Sequence, residues 1–334
     1  MVNPILSIII VSYNTKELLI KCLSSIYDQT RVVEFEIIMV DNNSKDGSAK
    51  EVQARFPNVR VIVNEINKGF AAANNQGLKI MRGKYALLLN PDTIIIDNAF
   101  EKMMNFMEKH DEVGIICPKI FKPDGSLQRA AFPAPSTMNF ILSKLHNERL
   151  LSGRLSSIYM RFIDSLLPAK FSYGFFDQLC RTSREPFKAG WVSGACLMIR
   201  GRAIENIGFL DENLFLFCED RDWCCRAREK GWEVMLLPEA QIIHYGGQST
   251  LQDLSLGIPT YCSSQFYFVG KHLGRSALFM LKFVTFWELL VKILIRGVGF
   301  IVSKGKRKAK LYGYMESLKL IFKSSNKIRP GSPI

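Results

Sequence analysis

The sequence predicts an α/β fold: a mostly parallel, doubly wound sheet followed by an amphipathic helical extension. Three observations predict it. β-branched runs alternate five times with segments of helical spacing before residue 121. The links between them are short. Polar residues gather just after the apolar runs, where ligands of such sheets bind, beyond the carboxyl ends of the strands.

ILSIIIVSYN (5–14) is a buried strand by its β-branched content, and TKELLIKCLSSIYDQT (15–30) follows with helical spacing. Thr15 is placed to cap that helix, although no Glu stands three residues on. FEIIMVDNNS is the second strand, and SKDGSAKEVQARF a helix start and body. NVRVIVN is the third strand and GFAAANNQGLKIMRG the third helix; KYALLLN, helix NAFEKMMNFMEKH and strand VGIICPKI complete the series. FKPDGSLQRA reads as a hairpin with Pro-Asp-Gly at its turn. Residues 130–188, rich in aromatics and Arg, show no assignable pattern. Order returns at WVSGACLMIRGRAIENIGFLDENLF, then at CEDRDWCCRAREKG, a helix stopped by Gly231. WEVMLLP and EAQIIHYGG read as two short strands.

The 334 residues are 48% apolar and carry a net charge of +13. That charge is concentrated. From Lys271 onward there are fourteen Lys/Arg against two acids, Glu288 and Glu316, so 271–334 holds +12 and the preceding 270 residues only +1. The body is an ordinary globular domain with a basic tail. The eight cysteines show no metal spacing, and several sit in apolar runs such as SGACLMI. They are expected to be reduced core thiols of a cytosolic protein. The run Ile5 to Val11 is too short, and too poor in preceding basic residues, for a signal peptide.

The strand ends supply the candidates: Ser12-Tyr13-Asn14, Asp41-Asn42-Asn43, Asn64 to Gly69, and Asn90-Pro91-Asp92. Asp41 could accept from a pyrimidine imide or from ribose hydroxyls; it could equally close an Asx turn. Asp92 could hold Mg²⁺ or Mn²⁺ together with substrate phosphates, and Pro91 would aim it; a turn role is the alternative. Glu219, Asp220 and Asp222 crowd a helix start, where acids are favoured anyway. Asp222 has Arg226 four residues on as an ion-pair partner. Asp220 has no such partner, so its pKa should rise, which suits a general base. His244, beside Gly246-Gly247, is a residue type that can ligate Mn²⁺.

Seven stretches together resemble family 2 glycosyltransferases of the GT-A fold: SIIIVSYNTKELLIKCLSSI, EIIMVDNNSKDGS, NKGFAAANNQG, LLLNPDT, WVSGACLMIR, GFLDENLFLFCEDRDWCCRAREKGW and IIHYGGQS. They occur in the family's order over roughly 5–250 and are most similar to its rhamnosyltransferase-like branch. The resemblance implies a Rossmann-like nucleotide-sugar-binding half at 1–118, an acceptor-binding and catalytic half at 119–250, and a membrane-associating tail at 251–334. It implies inverting transfer from a nucleoside-diphosphate sugar, dTDP- or UDP-linked, to a glycan or polyprenol-diphosphate-linked acceptor. Asp220 takes the role of catalytic base. Asp92 and His244 take the metal, Mg²⁺ or Mn²⁺. Asp41 contacts the base and Tyr13 lies against it. Ser12, Asn43, Lys68, Gly69, Asn74, Asn90, Trp191 and Glu219 complete the substrate site. The first Asp of the family's Asp-x-Asp is Asn90 here, which contributes no charge. The branch points to L-rhamnose as the sugar; galactofuranose or N-acetylglucosamine from a UDP donor is the alternative. A catalytically silent nucleotide-binding or membrane-scaffold protein is the reading from another class, supported by Asn90.

In SALFMLKFVTFWELLVKILIRGVGFIV (276–302), Lys282, Glu288, Lys292 and Arg296 fall with Arg275 within about 140° of one another at ~100° per residue. Such a helix does not suit a membrane crossing. It suits one lying in the interface, with KGKRKAK after it attracting anionic lipid. The expected location is therefore the cytoplasmic face of the cell membrane. Nucleic acid is disfavoured, because the basic residues share a helix with a broad apolar face.

Overall fold

The computed structural model describes residues 5–140, 173–246, 254–298 and 306–322. The chain divides into two compact units. The first is Met1–Ala134, Phe176–Glu212 and Glu219–Ser249; the second is Pro135–Phe175, Asn213–Cys218 and Thr250–Ile334. Of the unassigned stretch 130–188, residues 141–172 lie outside the described residues, as do Gly247 and Lys304.

The first unit is the expected α/β layer. Strand β1 (Leu6–Ser12) is buried at all seven positions, as a strand covered on both faces must be. It pairs in parallel with β2 (Phe35–Asp41) and β4 (Tyr85–Leu89), and β2 pairs in parallel with β3 (Arg60–Val63). Helices α1 (Lys16–Gln29), α2 (Ser48–Arg55) and α3 (Phe70–Leu78) are the crossovers. Thr15 stands at the start of α1 but makes no side-chain cap. Its hydroxyl pairs with Ser12 Oγ at 3.0 Å, and the first helical N–H, of Lys16, donates instead to Asp46 Oδ2 at 2.8 Å.

Beyond β4 the order departs from a simple series. After β4 come β5 (Thr93–Ile96), helix α4 (Ala99–Lys109), β6 (Val113–Phe121), β7 (Leu127–Gln128) and β8 (Ala131–Phe132). Then follow helix α5 (Tyr173–Thr182), β9 (Phe187–Lys188), β10 (Trp191–Val192), β11 (Cys196–Arg200) and helix α6 (Gly201–Ile207). Helix α7 (Glu219–Glu229) and strand β12 (Glu233–His244) complete the unit. The sheet order is β3-β2-β1-β4-β11-β6-β12-β5, with β7 on β6 and β9 on β12. Strand β11 runs antiparallel between β4 and β6, with Cys196 opposite Leu89. Its start therefore reaches the edge where the parallel strands end.

The two short strands expected at 232–247 are one strand, β12, parallel to β6. Leu237 faces Pro118 and Gln241 faces Lys119, so residues 238–240 bulge out. Pro118 cannot donate to a ladder, which suits it to the point where the ladder is interrupted. The second half of β12 then pairs with β5, antiparallel. The Pro-Asp-Gly hairpin forms as expected, with Gly125 at φ +78° and Phe121 opposite Leu127. Helix α7 ends before Gly231, at φ +85°. All eight cysteines are buried and free.

In the second unit, α8 (Leu254–His272), α9 (Gly274–Val298) and α10 (Lys306–Ile321) pack as helices. Among the described residues no helix is long and apolar enough to cross a membrane. The charged stripe expected to face water lies partly inward. Glu288 and Lys292 form an ion pair with side chains 11% and 21% exposed, and Leu281, Thr285 and Leu289 beside them are buried. Opposite charges at i,i+4 neutralise each other, which lets them share a packed face.

Gly77 on α3 fixes the close approach of that helix to β1: an added Cβ would meet Ile9 Cγ2 at 2.6 Å. Gly77→Ala should therefore lower unfolding free energy by about 1–3 kcal/mol, as overpacked cores do. Denaturant titration should show the midpoint falling.

Candidate active site

The loops after β1, β2 and β3 are joined by side-chain amides. Asn42 is the hub. Its Oδ1 accepts from Lys68 N–H at 3.0 Å and from Asn64 Nδ2 at 3.1 Å; its Nδ2 donates to Asn67 Oδ1 at 2.7 Å and to Gly69 O at 3.2 Å. Asn14 ties the first loop to the second, donating its N–H to Ser44 Oγ and accepting from Lys45 N–H. Asn14 and Asn43 hold left-handed backbone at φ +52° and +72°, a conformation that Asn tolerates better than most residues. Gly69, at φ +85°, turns the chain into α3.

Asp41 lies opposite Ser12 and is 2% exposed. Its Oδ2 accepts from Ser44 N–H at 3.2 Å, which realises the Asx-turn reading. Its buried Oδ1 has no hydrogen-bond partner among the described residues. Asn74, on α3, is in the same condition: Nδ2 donates to Phe70 O, and the buried Oδ1 has no partner among those residues. Buried acceptors left unanswered are costly, so these two are where a donor-bearing ligand gains most. Ser12 is buried with its hydroxyl on Thr15, while Tyr13 is partly exposed and Lys68 exposed. Asn43 Oδ1 accepts from Lys45 Nζ at 2.7 Å.

The triplet Asn90-Pro91-Asp92 carries the chain from β4 to β5. Asn90 N–H donates to Ala195 O, and Tyr245 N–H to Asp92 O, both at 2.9 Å. Pairing of β5 with β12 sets His244 opposite Thr93. His244 Nε2 then lies 3.2 Å from Asp92 Oδ1, both side chains being buried. The imidazole has a neighbour on each nitrogen. Gln128 Oε1 lies 3.1 Å from Nδ1, and Asn90 Nδ2 lies 3.2 Å from Nε2, beside the Asp92 carboxylate. Nε2 and the Asp92 oxygen are both groups that can ligate a cation. Their separation suits two ligands side by side on an ion with bonds of roughly 2.1 Å, and imidazole with carboxylate suits Mg²⁺ or Mn²⁺. Among the described residues no three His, Cys, Asp or Glu side chains form a metal cage. The protein's share of such an ion would be Asp92 and His244, and substrate phosphates would complete the shell. Asn90 contributes no charge but places its amide against the imidazole.

The start of β11 and the start of α7 meet at the same sheet edge. Gly194 N–H donates to Asp220 Oδ2 at 2.9 Å, and Arg221 N–H to Oδ1 at 2.7 Å. Asp220 is therefore not without partners, as its spacing had implied. Its carboxyl is nonetheless raised, by burial, against the opposing effects of the Gly194 bond and the Arg221 charge. Burial, followed by the Asp220 charge, pushes Glu219 up to about 8, and its buried Oε2 has no partner among the described residues. Burial thus favours the protonated form of both acids, and at Asp220 the Gly194 bond and the Arg221 charge oppose it. Asp222 is fully buried and pairs with Arg226 at 2.8 Å, as the spacing predicts. Trp191 stacks on Phe132, with centroids 3.8 Å apart and planes at 5°, while the Arg221 guanidinium lies 4.3 Å over its ring. With both faces covered, Trp191 can offer a substrate only its edge.

Asp41, Asp92, His244 and Asp220 thus gather at the carboxyl edge of a mostly parallel sheet, where ligands of such sheets bind. Residues 7–162 match the family model for Glycosyl transferase family 2. The chain is 25% identical over 284 residues to the N-acetylglucosaminyl-diphospho-decaprenol L-rhamnosyltransferase of Mycobacterium tuberculosis, covering 81% of this chain and 86% of that one. Among solved structures it is similar to the mannosyltransferase PcManGT from Pyrobaculum calidifontis in complex with GDP-Man and Mn²⁺. That match has 13% identity, a TM-score of 0.52, and covers 96% of this chain and 85% of the other. GalNAc-T7 with UDP, GalNAc and Mn²⁺ matches at 15% identity and a TM-score of 0.50, over 72% of this chain and 44% of that chain, less than half its length. At these identities the two structures speak for the fold. The chain is similar to glycosyltransferase family 2 over 7–162 and to a rhamnosyltransferase over most of its length; it is a hexosyltransferase.

Three contributors carried no sequence signal of their own. Gln128 and Gly194 act from a hairpin and a loop on groups distant in sequence. Asp46 caps a helix 30 residues earlier. Asn42 stands among the strand-end candidates, but its role as a hub is not readable there.

Glu219 gives a sign-defined pH effect. Its folded pKa, about 8, lies above the ordinary 4.5, so the folded state binds the extra proton between these values. Stability fully present below pH 4.5 is then lost as pH rises towards 8. In Glu219→Gln that loss should be absent. Melting temperatures across this range should show the variant gaining on the parent as pH rises.

Proposed function

We propose that this enzyme is an inverting, metal-assisted transferase. It moves L-rhamnose from dTDP-rhamnose to a polysaccharide or polyprenol-diphosphate-linked glycan at the cytoplasmic face of the membrane, in cell-surface polysaccharide synthesis. The observation that carries this reading is His244 Nε2 held 3.2 Å from Asp92 Oδ1 on the sheet edge that also bears Asp41 and Asp220. The relative from Mycobacterium tuberculosis supports rhamnose and a lipid-linked acceptor, and PcManGT and GalNAc-T7 support Mn²⁺.

Asp41 Oδ1 accepts from the imide N–H of the pyrimidine, which satisfies its orphan oxygen. Tyr13 lies against the base, and Asn74 Oδ1 accepts from a donor hydroxyl. Asp92 and His244 hold Mg²⁺ or Mn²⁺ on the diphosphate. When bound, that ion supplies the positive charge that offsets the leaving group. Asp220 removes the proton from the acceptor hydroxyl as this oxygen attacks the anomeric carbon from the face opposite the diphosphate. One displacement inverts the configuration. Gly194 N–H holds and aims Asp220, and the Arg221 charge opposes the burial that raises its carboxyl, while burial and the Asp220 charge favour the proton on Glu219.

Asp220→Asn should bind donor with unchanged affinity while transfer falls by roughly 10²–10⁴-fold; near-normal turnover would remove Asp220 from the mechanism. Thermal shift assays with dTDP- and UDP-sugars, with and without Mn²⁺, should show the larger Mn²⁺-dependent stabilisation with dTDP-rhamnose. Asp92→Ala should abolish the Mn²⁺ dependence. Equal donor affinity in the presence and absence of chelator would refute the metal role, and preference for a UDP-sugar would select the galactofuranosyl or N-acetylglucosaminyl alternative.

A further inference from the structure

We propose that the outward aromatic face of α9, extended by α10, is a docking surface for an anionic lipid bilayer. At ~100° per residue, Phe279, Met280, Phe283, Trp287 and Leu294 fall within about 100° of one another. All five are exposed, Phe279 at 72% and Trp287 at 51%. Ring contacts make the face continuous: Phe283 to Trp287 at 6.4 Å, Phe286 to Trp287 at 5.5 Å, and Phe286 to Phe322 at 6.1 Å. Tyr312 and Met315 of α10 and the neighbouring Phe322 are exposed as well.

The helix is inside out. Lys282, Glu288 and Lys292 lie on the opposite side, among buried Leu281, Thr285 and Leu289. Lys292 pairs with Glu288 and lies 5.7 Å over the Tyr314 ring; Lys282 lies 5.7 Å over Phe266. A helix folded for water alone would turn its charges out and its rings in. This one keeps Lys282, Glu288 and Lys292 against the bundle, with Arg275 exposed, and leaves Phe and Trp outside, in a patch of the kind that marks an interaction site.

Charge says what covers it. Residues 271–334 hold fourteen Lys/Arg against two acids, and five of the seven residues of KGKRKAK (304–310), which runs into the first turns of α10, are basic. That excess repels a second copy of the same face and attracts an anionic surface. Trp and Phe are the side chains that settle at the boundary between headgroup and acyl chain. Because none of the described helices can cross a bilayer, the face lies on it. The surface deepens the membrane location proposed above and rests on that reading; its physical basis is independent of transfer.

The test is flotation of the full chain with vesicles of phosphatidylglycerol and phosphatidylcholine in equal parts. The parent should float, and bind phosphatidylcholine vesicles at least tenfold less. Phe283→Gln with Trp287→Gln should lower binding to the anionic vesicles at least tenfold at an unchanged melting temperature. Brominated lipid should quench the parent's tryptophan emission, and less so that of Trp287→Phe. A parent that stays at the bottom, or a double variant that floats like the parent, overturns the proposal. So does sedimentation showing a dimeric parent and a monomeric double variant with neither floating. No nucleotide sugar is present, so a negative result leaves sugar transfer standing, and a failure of transfer leaves the docking result standing.

Discussion

The pairing of β5 with β12 is the interaction on which the centre of the site depends. Asn90 and His244 are 154 residues apart in the chain, and the ladder alone brings them within hydrogen-bond distance. Neither strand would reach this position in a plain parallel series. Strand β5 leaves β4 at Pro91 and pairs at the far end of the sheet order; β12 reaches it only after the bulge opposite Pro118. Three prolines, Pro91, Pro118 and Pro238, thus stand at the points where the sheet departs from regularity to bring Asp92 and His244 together.

The acids at this edge share a second property. Asp41 and Glu219 are buried with one oxygen unanswered among the described residues, and Asp92 lies 3.2 Å from His244 Nε2. The unanswered oxygens are unfavourable by themselves. The surrounding groups keep the acids in place: Asn42 binds the loops after β2 and β3 together, Gln128 and Asn90 contact the imidazole, and Gly194 holds Asp220. The unfolded chain would leave all these groups to water. Folding stability is therefore invested in electrostatics that a ligand relieves, so the site is ordered before donor arrives.

What was legible in the sequence follows its periodicities. The buried runs around Ile8, Ile37 and Leu87 announce strands, and the polar residues behind them announce the binding edge. The ion pair of Asp222 with Arg226 is readable from a spacing of four. The antiparallel course of β11 is not, because CLMIR looks the same in either direction. Nor is the role of Gln128, which depends on the register of a distant ladder. The unity of β12 was concealed by Pro238, which reads as a break and lies in a bulge. Residue periodicity also located the charged stripe on α9, but which side of a helix packs inward is decided by its neighbours, here α8 and α10.

The antiparallel insertion of β11 has a consequence for how the chain emerges from the ribosome. Strand β4 ends at Leu89, and the strand that covers its second edge begins at Cys196, 107 residues later. At bacterial-to-eukaryotic synthesis rates that interval lasts roughly 5–20 s. Throughout it, the nascent sheet presents the backbone donors and acceptors on the second edge of YALLL unpaired, an apolar edge open to any extended segment nearby. The strand that completes the active-site edge is thus also the one that ends the chain's period of greatest exposure to misassembly during its own synthesis.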